Sequence, residues 1–192
     1  MLTASDRLST DGALSPDQSQ VTLWLYQPGL YGRDALYSVW RAMEDDGATQ
    51  QAFWDRAFYP DTCGDLASFI KVFDGTPGVH LAMVQGPPDQ KLIGCIWVSD
   101  LMPGHQAFIS IWMQRQSRAY AMEAGRQALD YVFAAWHLKQ IWAVTPWQRA
   151  LALGIRLGFH HVACLPQYCR FPTRTYDVHV LRLTKEAWHG TS

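Results

Sequence analysis

Charge is scarce in this chain. Asp, Glu, Lys and Arg together make up 17% of its 192 residues, and 16 basic against 17 acidic side chains leave a net charge of −1. A protein that tracks a phosphate backbone needs a basic stripe, and neither a stripe nor a run of like charges is present. No nucleic acid is therefore expected as a partner. Long apolar runs are lacking as well. The longest strongly apolar stretch lies around Leu92 to Val98, far below the roughly 20 residues that span a bilayer, so no membrane is expected. Asp6, Arg7 and Asp11 stand where a signal peptide would carry its apolar core, which reads as an intracellular, cytoplasmic protein. The four cysteines, at 63, 95, 164 and 169, include no CxxC spacing, and the histidines include no HExxH. A zinc ribbon and a metalloprotease helix are thus excluded, and no metal is expected. Adjacent His160 and His161 would point to opposite faces of a strand. Cys95 sits in an apolar run as a core residue; Cys164 and Cys169 could approach across a loop, but free thiols are expected in a cytosolic chain. Internal repeats and low-complexity tracts are absent.

Aromatic residues are abundant: nine Trp, eight Tyr and eight Phe. They imply a bulky core, a ring-lined groove or a large contact surface for a protein partner or a homo-oligomer. With 48% apolar residues the chain is no disordered segment. Residues 1–19 are polar and read as an arm; residues 20–188 read as a single domain. Alternation from Val21 to Tyr26 predicts a strand. Asp34, Thr49 and Asp65 are placed to cap three helices. Strands follow over Val79 to Gln85, Leu92 to Ser99 and Ala107 to Met113, and then a long helix from about Ala119 to Trp136. A strand from Gln140 to Thr145 leads to a helix from Trp147 to Leu157, stopped by Gly158. Two last strands, His160 to Leu165 and Tyr176 to Thr184, flank a two-proline linker, Pro166 to Arg174, that cannot be a central strand. The order describes an α/β fold with a mixed sheet.

The segment Ile111 to Glu123 carries the chemistry. A strand ends, a short polar turn follows, and a helix opens at once. First-turn amides without internal partners, aided by the helix dipole, form an anion site. Ser117, Ala119 and Ala121 are small enough for close approach, and Arg118 adds a positive charge. Taken alone, the segment reads more simply as an ordinary strand-to-helix turn.

The run Ser117-Arg118-Ala119-Tyr120-Ala121-Met122-Glu123-Ala124 resembles the Gly-Lys-Gly-Tyr-Ala-Thr-Glu-Ala signature of the GNAT superfamily of N-acetyltransferases. The branch it looks most like acetylates the N-termini of ribosomal proteins and related amines. The wider family loop, Gln/Arg-x-x-Gly-x-Gly/Ala, falls on Gln116, Ala119 and Ala121, in degenerate form. Leu129 to Phe133, Leu157-Gly158-Phe159 and Asp177 to Trp188 are similar to later family segments. The resemblance implies a GNAT-like acyl-CoA N-acyltransferase fold: a twisted mixed sheet of about six or seven strands with helices on both faces. It also implies acyl transfer from acetyl-CoA, as co-substrate, to an amine acceptor, either a small molecule or a protein N-terminus. By the same resemblance Trp112, Met113 and Gln114 would lie along pantetheine. Gln116, Ser117, Arg118, Ala119, Tyr120 and Ala121 would hold the diphosphate.

The chain departs from that pattern in several places. Ser117 and Ala119 replace both glycines of Gly-x-Gly. Trp147 and Ala150 replace the Asn and Ser that contact CoA in relatives, so Trp147 either blocks the slot or walls it. No tyrosine occurs in the helix where many relatives keep a general acid. Candidates for proton transfer reduce to Tyr168, His105 and Asp100, each also readable as an ordinary turn or surface residue. Glu123 matches the family and reads as a partner of the first-turn dipole. Two functions are therefore expected as alternatives: an acetyl-CoA-dependent N-acyltransferase, or an inactive GNAT-like binding or assembly component.

Overall fold

The structure, a computed structural model, describes residues 20–28, 33–48, 65–87, 89–171 and 174–190. The arm expected over residues 1–19 and the helix expected after Thr49 lie outside these. In chain order the elements are β1 (Thr22–Leu25), α1 (Asp34–Asp45), α2 (Leu66–Gly75), β2 (His80–Gly86), β3 (Lys91–Met102), β4 (Gln106–Met113) and a 3-10 turn (Arg115–Tyr120). They continue with α3 (Ala121–Trp136), β5 (Gln140–Thr145), α4 (Gln148–Arg156), β6 (His160–Phe171), β7 (Arg174–Thr184) and α5 (Lys185–Gly190). The strands join in one sheet, ordered β1-β2-β3-β4-β5-β7-β6. All neighbours are antiparallel except β4 and β5. No helix among the described residues is long and apolar enough to cross a membrane.

Alternation along β3 shows why this strand is apolar on both sides. Cys95 and Trp97 belong with Leu36, Val39, Trp40 and Met43 of α1 and with Phe69 and Phe73 of α2. Ile96 turns to the other face and joins Ala121, Ala124 and Ala128 of α3. Val98 packs with Leu129, Val132 and Phe133 of α3 and with Leu157, Phe159 and Leu181. Helices thus cover both faces, and much of the aromatic surplus is core. A buried anchor fixes the start of this arrangement. The Tyr26 hydroxyl donates to Asp74 Oδ1 at 2.9 Å, and Arg33 pairs with Asp74 Oδ2 at 3.1 Å. Burial, with the Asp74 carboxylate beside it, pushes the Tyr26 hydroxyl up to about 12.

Several boundaries differ from the sequence reading. Asp65 caps α2, accepting from the Ser68 amide at 2.8 Å. Asp34 does not cap α1: it is the first helical residue, and Arg33 stands before it with no side-chain cap bond. The long helix opens as a 3-10 turn and becomes α-helical only at Ala121. The segment expected as a linker is strand: β6 continues through Pro166 to Phe171, and β7 begins at Arg174. Pro166 is tolerated because β6 is the edge strand and is bulged between Leu165 and Cys169. Tyr168 is therefore on an edge strand, not in a loop. Cys95, Cys164 and Cys169 are free thiols. No group of three or more metal-ligating side chains occurs among the described residues; His161 instead meets His179 at 3.1 Å.

Candidate functional site

The site begins where a pair of strands parts. β4 and β5 run parallel, but the register holds only from Gln106 opposite Gln140 to Phe108 opposite Trp142. Beyond that, β4 stays with β3 as far as Met113 opposite Gly94, and β5 stays with β7 as far as Thr145 opposite His179. Each strand keeps its outer neighbour while losing the inner one, so a wedge opens toward Met113 and Thr145. Polar side chains brace the closed end. Gln106 Oε1 accepts from Gln140 Nε2 at 3.1 Å and from the Trp142 indole at 3.2 Å. At the open end Pro146 has no amide to continue the ladder, and the chain leaves the sheet for α4. Thr145 Oγ1 accepts the Trp147 amide at 3.1 Å, which sets Trp147 as the residue just before that helix.

A cleft of about 110 Å³ occupies the wedge. Ile109, Ser110 and Ile111 of β4 form one wall; Ala143, Val144 and Thr145 of β5 form the other. It reaches down between α3 and α4 to Leu129, Leu157 and Phe159. Gly125 and Gly154 bring the helices close to the cleft. A Cβ on Gly125 would meet Leu157 Cδ1 at 2.8 Å, and one on Gly154 would meet Leu181 Cδ1 at 2.6 Å. Gly158 ends α4 in the left-handed region at φ 92°, letting Phe159 N–H bond Gly154 O at 3.0 Å. Ser110, Thr145, Trp97 and Trp147 are the lining residues whose side chains carry hydrogen-bonding groups, and no ionisable side chain lines the cleft among the described residues.

Of the residues expected from sequence, Trp147 lines this cleft. Its ring packs beside Phe171 at 5.6 Å and Tyr176 at 5.1 Å, just past the end of β5. Trp112 and Met113 bury their side chains on opposite faces of the sheet, Trp112 with α1 and Met113 with α3. Gln114 donates its backbone amide to Ile93 O at 2.8 Å.

The loop that follows is folded on itself. Ser117 N–H bonds Gln114 O at 2.9 Å, Ala121 N–H bonds Arg118 O, and Arg115 N–H reaches Asp46 Oδ1 at 3.3 Å. Ser117 is buried, whereas Gln116, Arg118 and Ala119 are exposed and Tyr120 is half-buried. Glu123 clasps a strand: its carboxylate accepts the Val21 amide at 3.0 Å, and Gln127 donates to Val21 O at 3.2 Å. His105 and Asp100 sit around the β3–β4 turn at the closed end, where His105 O accepts the Lys139 amide at 2.9 Å. Tyr168 is exposed on β6. The structure therefore does not bring His105, Asp100 and Tyr168 together at the cleft.

Sequence reasoning missed Ser110, Gly125, Thr145 and Gly154 as cleft residues. The glycines were visible as helix-interior positions that sacrifice helix propensity, and Thr145-Pro146 as a strand end, but nothing local marked Ser110.

No protein-family model matches the chain, and no curated protein matches it. Solved structures do share its fold. A spermidine N-acetyltransferase from Vibrio cholerae, in complex with CoA and spermine, superposes with TM-score 0.71 at 16% identity, over 88% of this chain and 98% of its own. A dodecameric structure of that enzyme, in an intermediate state, gives 0.71 at 16% identity over 90% and 98%. A GNAT-family acetyltransferase from Bacillus anthracis gives 0.65 at 15% identity over 88% and 96%. The chain has the GNAT acyl-CoA N-acyltransferase fold.

Proposed function

We propose that the chain is a GNAT-superfamily N-acyltransferase that passes an acetyl group from acetyl-CoA to an amine, with the thioester arm lying in the parted β4–β5 seam. The observation that carries this reading is the seam. Beyond Phe108 the β4 backbone has no β5 partner, and unpaired backbone groups along a strand edge are matched well by an extended, amide-bearing arm. Bound there, acetyl-CoA supplies an activated acyl carbon that an amine nitrogen attacks with loss of the thiol. The β4 amides polarise the acyl oxygen as charge develops on it. The aliphatic walls exclude water, which strengthens those contacts. Thr145, already accepting from Trp147, keeps its hydroxyl proton to donate, and Ser110 offers a second hydroxyl.

The thioester end fits these residues better than the diphosphate end. In the 3-10 turn the Arg115 amide goes to Asp46, the Ser117 amide to Gln114 O and the Ala121 amide to Arg118 O, and the exposed Arg115 and Arg118 side chains supply charge for a diphosphate. Gln116, Ser117, Ala119, Tyr120 and Ala121 then shape the turn that carries those arginines. With no ionisable side chain lining the cleft among the described residues, the amine must arrive neutral, and the proton it sheds on attack balances the departing thiolate. The acceptor is a small amine or a protein N-terminus, and the activity is placed in the cytoplasm.

A second reading, a GNAT-fold protein that binds or assembles without turnover, is favoured by one observation, that the Arg115, Ser117 and Ala121 amides of the loop are already bonded within the chain.

A thiol-release assay with acetyl-CoA and a panel of amines, spermidine and short peptides separates the two. The first reading expects turnover whose rate rises with pH in step with the acceptor's own ionisation, with no further inflection from the protein. Acetyl-CoA binding without thiol release on any acceptor would support the second reading.

A further inference from the structure

Away from the cleft, two strands bring a pair of imidazoles together. His161 of β6 stands opposite Leu181 of β7, and His179 lies two residues back along β7, on the same face. A diagonal pair of this kind is within reach of ring side chains, and the register shift just after His161 bends β6 locally. His161 Nε2 lies 3.1 Å from His179 Nδ1, with the ring centroids 5.1 Å apart. Of two facing ring nitrogens, one carries the proton and the other accepts it. A metal ion can take that proton's place. Two nitrogens on one tetrahedral ion, each bonded at about 2.0–2.1 Å, stand about 3.3 Å apart, so the rings need part by only about 0.2 Å.

The other nitrogen of His179 is provided for as well. It lies 3.3 Å from the Gln148 amide nitrogen, and Gln148 is the first residue of α4. A half-turn of that amide brings its oxygen to the ring instead. A histidine that ligates a metal through one ring nitrogen gives the N–H of the other to a carbonyl or carboxylate, which fixes its tautomer. Gln148 is placed to do this for His179. The cluster joins β6, β7 and α4, and none of its three side chains lines the cleft.

We propose that His161 and His179 form a binding site for a divalent transition metal of the zinc, copper and nickel class, with Gln148 orienting His179 and water completing the shell. Neutral imidazoles suit these ions; magnesium and calcium take oxygen ligands. No third His, Cys, Asp or Glu joins the pair among the described residues, so the ion is held openly and exchanges. His161 is exposed and His179 half-buried, which leaves the pair accessible from solvent.

The test is calorimetric titration of the metal-stripped, tag-free full chain with the chlorides of Cu2+, Ni2+, Zn2+ and Mg2+. One ion per chain should bind, Cu2+ more tightly than Ni2+ or Zn2+, and Mg2+ should give no heat. His161→Ala and His179→Ala should each abolish this binding. Gln148→Ala should keep the stoichiometry and weaken binding by about tenfold. His160 points to the opposite face of β6, and Cys164 stands opposite His179 without joining the pair; His160→Ala and Cys164→Ser should bind as the wild type does. With Cu2+ bound, the wild-type electron paramagnetic resonance spectrum should carry splitting from two imidazole nitrogens. That spectrum decides the matter even where a variant does not fold. Absence of binding by the wild type, binding that survives both histidine variants, or binding lost in Cys164→Ser overturns the proposal.

Discussion

The two ends of the β4–β5 seam are made by the same strands and behave differently. At the closed end Gln106, Gln140 and Trp142 tie the pair together through one amide oxygen that accepts twice. At the open end each strand keeps only its outer neighbour, β4 as far as Gly94 of β3 and β5 as far as His179 of β7. A parallel pair interrupted halfway leaves backbone groups without partners, and unpaired groups away from water are costly. The fold keeps this opening on one seam while pairing β6 with β7 along most of their length, and it is this opening that the proposed thioester arm would fill. The closed end lends rigidity to that place.

Substitutions can break this contrast, beginning with the one expected to cost most. Gly94 faces the top of β4 so closely that a Cβ would lie 2.5 Å from Trp112 O and 2.5 Å from Met113 Sδ. Backbone cannot yield as a side-chain tip does. Gly94→Ala should lose about 3 kcal/mol of stability in urea denaturation, near the upper range for overpacking, and weaken acetyl-CoA binding by displacing the open end. Trp147→Ala removes the ring just past the end of β5. The ring is only half-buried, so the loss should be about 2 kcal/mol, below that of a fully buried indole. Acetyl-CoA binding should weaken about tenfold in a calorimetric titration.

Gln106→Leu attacks the closed end. Removing the shared acceptor should cost about 1 kcal/mol and change acetyl-CoA affinity less than twofold. A collapse of binding in this variant would show that the ends are not separable. The smallest effect belongs to His80, which lies against Trp136 at a centroid distance of 4.8 Å and lines a separate small gap. Burial lowers its pKa below the ordinary 6.5. Below pH 6.5 the unfolded chain takes up the proton first, so stability should fall as pH drops from 6.5 toward the folded pKa and be flat above it. His80→Phe should flatten part of that fall in melting curves and leave the cleft untouched.

Much of this architecture was legible in the residues. Alternation marked β1, and a nearly unbroken apolar run marked β3, which is covered on both faces. The Asp65 cap and the Leu157-Gly158-Phe159 stop read correctly because both are local, set by side chains within a few positions of the backbone they serve. The errors came where distant partners decide. Pro166 argued against a central strand, and the segment is indeed none, but it is an edge strand and not a linker, because at the edge the missing donor costs little. Glu123 does stand in the first turn of α3, as a dipole partner should, but no local pattern told that it would also accept the amide of Val21, far away in sequence. The 3-10 turn was legible as a turn after a strand, yet nothing in Gln116 or Ser117 told that its amides would bond inward. No local pattern marked the seam, because where β4 and β5 stop pairing is decided between strands far apart in sequence. Ser110 and Gly154 acquire meaning only once the fold sets them around one cleft.

Amide hydrogen exchange of the wild-type chain, with and without saturating acetyl-CoA, measures the open seam directly. Peptides that cover β4 report the backbone groups left unpaired past Phe108. The account predicts slowed exchange concentrated in Ile109 to Met113 and in Thr145 to Trp147, with Gln106 to Phe108 unchanged because they are already paired. Unchanged exchange in Ile109 to Met113 at ligand concentrations that raise the melting temperature would contradict it, since the ligand would then be bound elsewhere than in the wedge.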